Sequence, residues 1–463
     1  MLEKKKLSGL FINVFGLGDF GFQLMVNMEL IFWMVFMTDA IRFSADQITF
    51  ITTVTGIFDV AWVFVAGLIV QRCNFKFGKL RSWLLYAPPF IWATFIFQFW
   101  SFSGNGGLAQ WLVIFGFVAS HLIWNCSYTA HIAMISAYTD DVQERTVLSS
   151  RRMLGQALGK ILFSSIAVGV IVKFSGLFGE VDAIGRNAQG YGMAAIVLPL
   201  VMVACYFIVF FVSKGYESTS KDKEAPAAAQ EQKLSVWESI KLAVTNSQLV
   251  VLAIADFGRC FAFYLITSMN AYYFRVVLDA PGMLATYLVW INISATIASL
   301  ITPYVSKVLG KKNTYFFGMI GYVIGLFVVY FFSEGNPTLF MITMIIATGV
   351  VQLAFSVGTA MFADTVVYSE WKHGVSNRGF VMSLYSFPIK TGVLVRATFM
   401  SLMLKAMSYN PDSITPTMVT GIKNLFTIYP AIVIAVCTAF FFLFYKLTDK
   451  KVAELSKEIA DRK

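Results

Sequence analysis

Apolar residues run along this chain in long blocks that do not alternate with polar ones. Twelve blocks fall near 11–38, 48–71, 82–103, 108–137, 153–175, 190–213, 248–275, 285–309, 314–333, 338–362, 380–406 and 425–447. A helix of about 20 apolar residues crosses a bilayer. Unbroken runs favour helices over a barrel, whose strands alternate. Polar punctuation separates the blocks. Ser44 reads as the N-cap of the second, and Ser103-Gly104-Asn105-Gly106-Gly107 as a tight turn after the third. The longest polar stretch, 214–233, reads as a flexible linker. Ser235-Val236-Trp237-Glu238 then predicts a capping box opening a short amphipathic helix. The chain so divides into an N-terminal six-helix bundle (1–213), a cytoplasmic linker with its amphipathic helix (214–247), a C-terminal six-helix bundle (248–447) and a charged cytoplasmic tail (448–463), expected as a surface helix. Two-bundle secondary transporters share this organisation, with their site at the midplane between the halves.

Composition turns that pattern into a class. Of 463 residues, 57% are apolar and only 13% charged, against about 25% charged in a soluble domain. The predicted fold is an all-α integral membrane protein. The net charge of +10 is explained by its placement. With both termini inside, inner segments hold 26 of the 36 lysines and arginines, and outer ones hold 6 (Arg42, Lys173, Arg186, Arg275, Lys405 and Lys423). That asymmetry is the positive-inside signal, and it removes the motive for nucleic-acid binding. Lys4-Lys5-Lys6 precedes a full-length apolar run, so the first helix is expected to be its own insertion signal. The five cysteines lie in spans or an inner loop and predict no disulfide framework.

The remaining Lys and Arg lie inside spans, with acids and histidines beside them. The first half holds Asp19, Glu29, Asp59, His121, His131 and Lys160; the second holds Asp256, Arg259, Lys390 and Arg396. A charge at membrane depth costs at least ~2.5 kcal/mol on insertion scales, so such groups face protein, water or a partner. Asp19 sits in Gly16-Leu17-Gly18-Asp19-Phe20-Gly21, whose glycines admit a neighbouring backbone or a ligand. Asp59, halfway along its run, suits a proton or sodium ion, or a standing ion pair with Lys160 or Lys390. Asp256 and Arg259, three apart, share a helix face and are expected to neutralise each other. Lys390 lies in Ser386-Phe387-Pro388-Ile389-Lys390-Thr391-Gly392, with Ser386 one turn earlier on its face. Pro388 and Gly392 are expected to loosen that helix. The histidines read as packed polar groups, since no second ligand stands at metal-binding spacing. No catalytic constellation, phosphate loop or nucleotide domain is present in the sequence. An enzyme is therefore not expected, and active transport would have to draw on an ion gradient.

Several motifs resemble the glycoside–pentoside–hexuronide:cation symporter family, to which melibiose permease belongs. They are Gly18-Asp19-Phe20-Gly21 with Met37-Thr38-Asp39; Phe77-Gly78-Lys79-Leu80-Arg81-Ser82-Trp83; Thr139-Asp140-Asp141 with Glu144-Arg145 and Leu148 to Arg152; Asn270 to Phe274; and Ala363-Asp364-Thr365 through Glu370-Trp371-Lys372-His373-Gly374, followed by Lys390-Thr391-Gly392. The resemblance implies a twelve-helix major facilitator fold in the bacterial cytoplasmic membrane, importing a sugar or sugar acid with H⁺, Na⁺ or Li⁺. It implies substrate binding by Asp19 with help from Arg152; Lys390, which can attract an anionic or polyhydroxyl substrate, and Ser386 on the same face join them as candidates from the residues themselves. The resemblance also implies a cation role for Asp59 shared with Asp19, a bridging role for Lys390, and loop or gating roles for Lys79, Arg81, Arg145 and Asp364. Departures narrow the coupling. Val63 and Phe64 stand where the family often has Asp-Pro, and Tyr128 aligns with a coupling Asp or a family Asn. A hard cation wants several oxygens, whereas a proton needs one base. H⁺ symport is the leading expectation, with Na⁺ coupling possible and an uncoupled facilitator or non-sugar carrier as the alternative. No other cofactor is expected. A monomer suffices, and the sequence leaves the oligomeric state open.

Overall fold

The computed structural model describes residues 7–73, 75–102, 104–139, 142–182, 185–217, 236–374, 381 and 384–462. Among them the chain forms long helices in sequence. They are α1 (Gly9–Ala40), α2 (Ala45–Arg72), α3 (Arg81–Gln98), α4 (Gly107–Tyr138), α5 (Val142–Ser175), α6 (Ala188–Val212), α7 (Ser247–Val277), α8 (Leu284–Leu309), α9 (Lys311–Phe332), α10 (Pro337–His373), α11 (Ser386–Ala406) and α12 (Pro416–Phe444). Ten of these described helices are long and apolar enough to cross a membrane; α2 and α3 are the other two. Helices α1–α6 pack largely among themselves, as do α7–α12. The halves meet along three seams: α2 on α11, α5 on α8, and α1 on α7. The start of α1 meets the chain just after α6, and the tail helix meets the end of α10; the opposite end of the helices, carrying Asp39 and Arg275, is the distal end.

Local chemistry sets the helix ends. Ser44 and Gln47 close a reciprocal capping box on α2. Gly374, left-handed at φ 70°, ends α10. This helix carries the Asp364–His373 motif within it, where the sequence pattern places a loop after residue 362. The helix continues because that stretch contains no Pro or Gly before Gly374. Likewise α5 starts at Val142, so Arg152 is helical. Within the run near 380–406, α11 begins at Ser386, which puts Pro388 in its first turn. There its missing N–H costs nothing, so no kink results. Gly392 does not loosen α11 either: a Cβ there would meet the Phe261 amide nitrogen at 2.9 Å, so the glycine is a close-packing position against α7. The short amphipathic helix spans Val236–Thr245. Ser235 and most of the 214–233 linker lie outside the described residues. The tail forms a helix, Asp449–Asp461, held to α10 by Trp371 donating to Glu458.

Candidate functional site: charged clusters where the halves meet

Glycines bring α1 and α5 together. A Cβ on Gly155 would run into the Gly16 carbonyl, and one on Gly159 into that of Phe20. This close approach aims Arg152 at Asp19. Its Nε and Nη2 each donate to one carboxylate oxygen at 2.7 Å, a bidentate fork. Gln156, one turn on, donates to Asp19 at 2.9 Å, and His131 Nδ1 lies 3.6 Å from it. Asp19 and His131 are fully buried, while Arg152 is 12% exposed. Charge, two donors and partial access together make a cluster that can exchange protein hydrogen bonds for those of a polar solute.

Asp59 lies on the α2–α11 seam. Lys390 donates to both its oxygens, at 2.8 and 2.9 Å, and Asn125 of α4 approaches at 3.4 Å. Lys390 thus satisfies Asp59 from the other half of the chain, and Lys160 does not. An aromatic strip joins the two clusters. The Lys390 ammonium sits 5.2 Å from the Trp124 ring and the Arg152 guanidinium 5.4 Å from the Tyr128 ring. Phe22 stacks between them, 4.7 Å from Trp124 and 5.0 Å from Tyr128. Trp124, Asn125 and Gln156 carry no charge and do not stand out in the sequence. The i, i+4, i+8 spacing of Arg152, Gln156 and Lys160 was the available signal for Gln156.

The other candidates settle elsewhere. Glu29 accepts from Gln98 at 2.9 Å and faces His121 at 3.4 Å. Arg396 donates to Ser268, which in turn donates to the Leu30 carbonyl at 2.8 Å. Asp256 and Arg259 pair with each other, fully buried, and the guanidinium lies 3.4 Å from the Phe355 ring centroid. Ser386 opens α11, half-buried, one turn before Lys390. Arg81 donates to the Phe210 carbonyl at 2.8 Å, while Glu217 accepts from the backbone of Leu80 and Arg81 at 2.8 and 2.9 Å. These bonds tie the start of α3 to the end of α6. Lys79 is exposed beside them. Asp364 pairs with Lys311, which also reaches Asp449 at 3.3 Å. Arg145 lies on α5, and its side chain is outside the described residues.

At the distal end the halves are joined again. Both α1 and α7 finish in a widened turn: the Ile41 amide reaches back to the Phe36 carbonyl and the Leu278 amide to that of Tyr273. Those turns present Asp39 and Arg275, paired at 2.6 Å. Thr38 shares a hydrogen bond with Tyr272 at 2.6 Å, Arg42 pairs with Asp412 at 2.7 Å, Lys405 pairs with Asp46, and Thr49 meets Ser401 at 2.8 Å. Beside the Asp39–Arg275 pair lies a cavity of about 580 Å³.

A family model described as MFS/sugar transport protein matches residues 14–449. The isoprimeverose transporter of Lactiplantibacillus pentosus is 25% identical, covering 96% of this chain and 91% of its own. A putative sulfoquinovose importer of Escherichia coli (strain K12) is 27% identical over 97% of this chain and 93% of its own. Among solved structures, a bacterial homologue of the human lysosomal transporter Spinster, inward-facing and unoccupied, aligns with TM-score 0.71 at 11% identity, over 94% of this chain and 96% of the other. The likeness to it is one of fold. With a family match over nearly the whole length, a helical fold shared with transporters and ion pairs lodged between its halves, the chain belongs to the MFS/sugar transport family, which comprises membrane transporters and not enzymes.

Proposed function

We propose that this chain imports a sugar or sugar acid together with a proton by alternating access across the bacterial cytoplasmic membrane. In this reading all twelve helices span, 1–213 and 248–447 act as the two moving bundles, both termini are cytoplasmic and the distal end faces outward. The observation that carries it is the Asp59–Lys390 pair, which crosses from α2 to α11. A carboxylate there can be satisfied by the lysine or by a proton, and the two exclude each other. Separating an embedded pair without compensation leaves two charges unmatched, at a cost of several kcal/mol. Protonation of Asp59 removes one of them, so proton loading and movement at this seam are coupled.

Asp19, Arg152 and Gln156 supply the sugar-binding chemistry: an acceptor and charged donors suited to hydroxyls. The Trp124–Phe22–Tyr128 strip offers rings on which a sugar can stack and links sugar to coupling site. The distal contacts support a conformation closed to the outside. On the α2–α11 seam side-chain pairs run from Asp46–Lys405 inward to Asp59–Lys390. This arrangement suits a carrier that has released its proton inward. The relatives' names, isoprimeverose transporter and putative sulfoquinovose importer, support a sugar as cargo.

A second reading has its own support. Lys390 and Asn125 already satisfy Asp59, so a facilitator with a standing ion pair is chemically complete. Uptake of a labelled sugar panel into proteoliposomes separates the two, using an imposed inward proton gradient, an inward sodium gradient, or neither. Proton-driven accumulation supports the symporter. Equilibration without accumulation in all three supports the facilitator, and sodium-driven accumulation overturns proton coupling.

A further inference from the structure

We propose that Lys160 is a specificity-determining residue: it takes the anionic group of the transported sugar, a carboxylate or a sulfonate. The inference rests on the sugar-carrier reading above and narrows its substrate class.

Lys160 lies midway along α5. Its neighbours on the same stripe define where it faces. Arg152 and Gln156, two turns and one turn before it, both donate to Asp19. Ser164, one turn after it, accepts from Asn292 of α8 at 2.9 Å. The stripe therefore runs from the Asp19 cluster to the α5–α8 seam between the halves. Leu154, Leu158 and Val172 are exposed and stand about 120–160° round the helix from Lys160. The lysine faces away from that outward side, and it is half-buried.

Among the described residues, its head group is the one of these embedded cations that no acceptor holds. Arg152 has Asp19, Lys390 has Asp59 and Arg259 has Asp256. Arg396 donates to Ser268, and Glu29 accepts from Gln98 and faces His121. That accounts for the four carboxylates named at depth. Among the described residues, no carboxylate or other acceptor lies within hydrogen-bonding distance of the Lys160 ammonium; the Ser164 hydroxyl donates to its backbone carbonyl, not to its head group. Embedded charges are retained where they have a partner or a task. Arg152 and Lys160 are about 12 Å apart along the axis, and both carry long, flexible side chains. A sugar whose hydroxyls engage Asp19 and Arg152 can direct its anionic substituent along α5 to Lys160. Carriage of one negative charge completes the match in number between cations and anions.

The test is counterflow exchange in proteoliposomes with the full chain, which needs no driving ion. The probes are a methyl glucuronide, a 6-sulfonated methyl glucoside and neutral methyl glucoside. The wild type is expected to exchange at least one anionic sugar, and Lys160→Met to raise its KM about tenfold or more, as loss of a charge-assisted hydrogen bond does. Lys160→Arg is expected to retain it, and Lys160→Gln repeats the neutral substitution with a polar side chain should the methionine variant fail to reconstitute. Which anionic sugar responds distinguishes carboxylate from sulfonate. Unchanged anionic exchange in the neutral variants overturns the proposal. Exchange of the neutral sugar alone overturns it too and leaves the sugar-carrier reading standing. No exchange of any sugar overturns that reading, and the role of Lys160 with it.

Discussion

Lys390 closes on both oxygens of Asp59 from across the α2–α11 seam, at 2.9 and 2.8 Å. The pair makes this carboxylate a contact between the two halves as well as a candidate proton site. Asp59→Asn is expected to abolish accumulation driven by a proton gradient while counterflow exchange continues, because exchange does not require the proton to be released. Normal gradient-driven accumulation by the variant would remove Asp59 from coupling.

The bidentate Asp19–Arg152 fork leads to a different expectation. Asp19→Ala removes an acceptor that charged donors hold, a loss of about 1.5–3 kcal/mol. Sugar affinity, measured by calorimetry on the purified protein, is expected to fall about ten- to a hundredfold or more. Affinity within a factor of about two of wild type would place the sugar elsewhere.

Asp256 and Arg259 look like a second site in the sequence, but both are fully buried and paired within one helix. Breaking such a pair from one side costs about 3–5 kcal/mol. Asp256→Asn is expected to lower the yield and thermal midpoint of the solubilised protein. The variant that does fold is expected to keep the wild-type KM. A changed KM at unchanged stability would make Asp256 a ligand of the substrate.

The distal pair of Asp39 and Arg275 joins the widened ends of α1 and α7. Arg275→Ala is expected to favour opening at that end. A cysteine placed at Thr49 or Ser401, which meet at 2.8 Å on the α2–α11 seam, should then react faster with a membrane-impermeant thiol reagent added outside. An unchanged rate would mean that the remaining contacts at that end suffice.

Much of this was legible in the residues, for a physical reason. Charges are costly in an apolar setting, so Asp19, Asp59, Lys390 and Arg152 stand out against the runs that carry them, and the i, i+3 spacing of Asp256 and Arg259 names a partner within one helix. Partners on other helices are another matter. Asp59 had two eligible lysines, and only the packing of α2 on α11 selects Lys390 over Lys160. Gln156, Asn125 and Trp124 carry no net charge and so draw no notice in a helix of mixed character. Pro388 and the Asp364–His373 motif misled for a related reason: their effect depends on where the helix begins or ends, and boundaries are the least legible feature of a sequence.

The apposition of Gly16 to Gly155 bears on how the protein can move. Backbones in direct contact cannot slide without clashing, so α1 and α5 form a single stiff slab carrying Asp19 and Arg152. Whatever turns the transporter from one side to the other must carry this cradle whole, without reshaping it. The grip on the sugar is then nearly the same at both faces of the membrane. Direction is left to the seams, where small gains and losses of contact decide which doorway stands open.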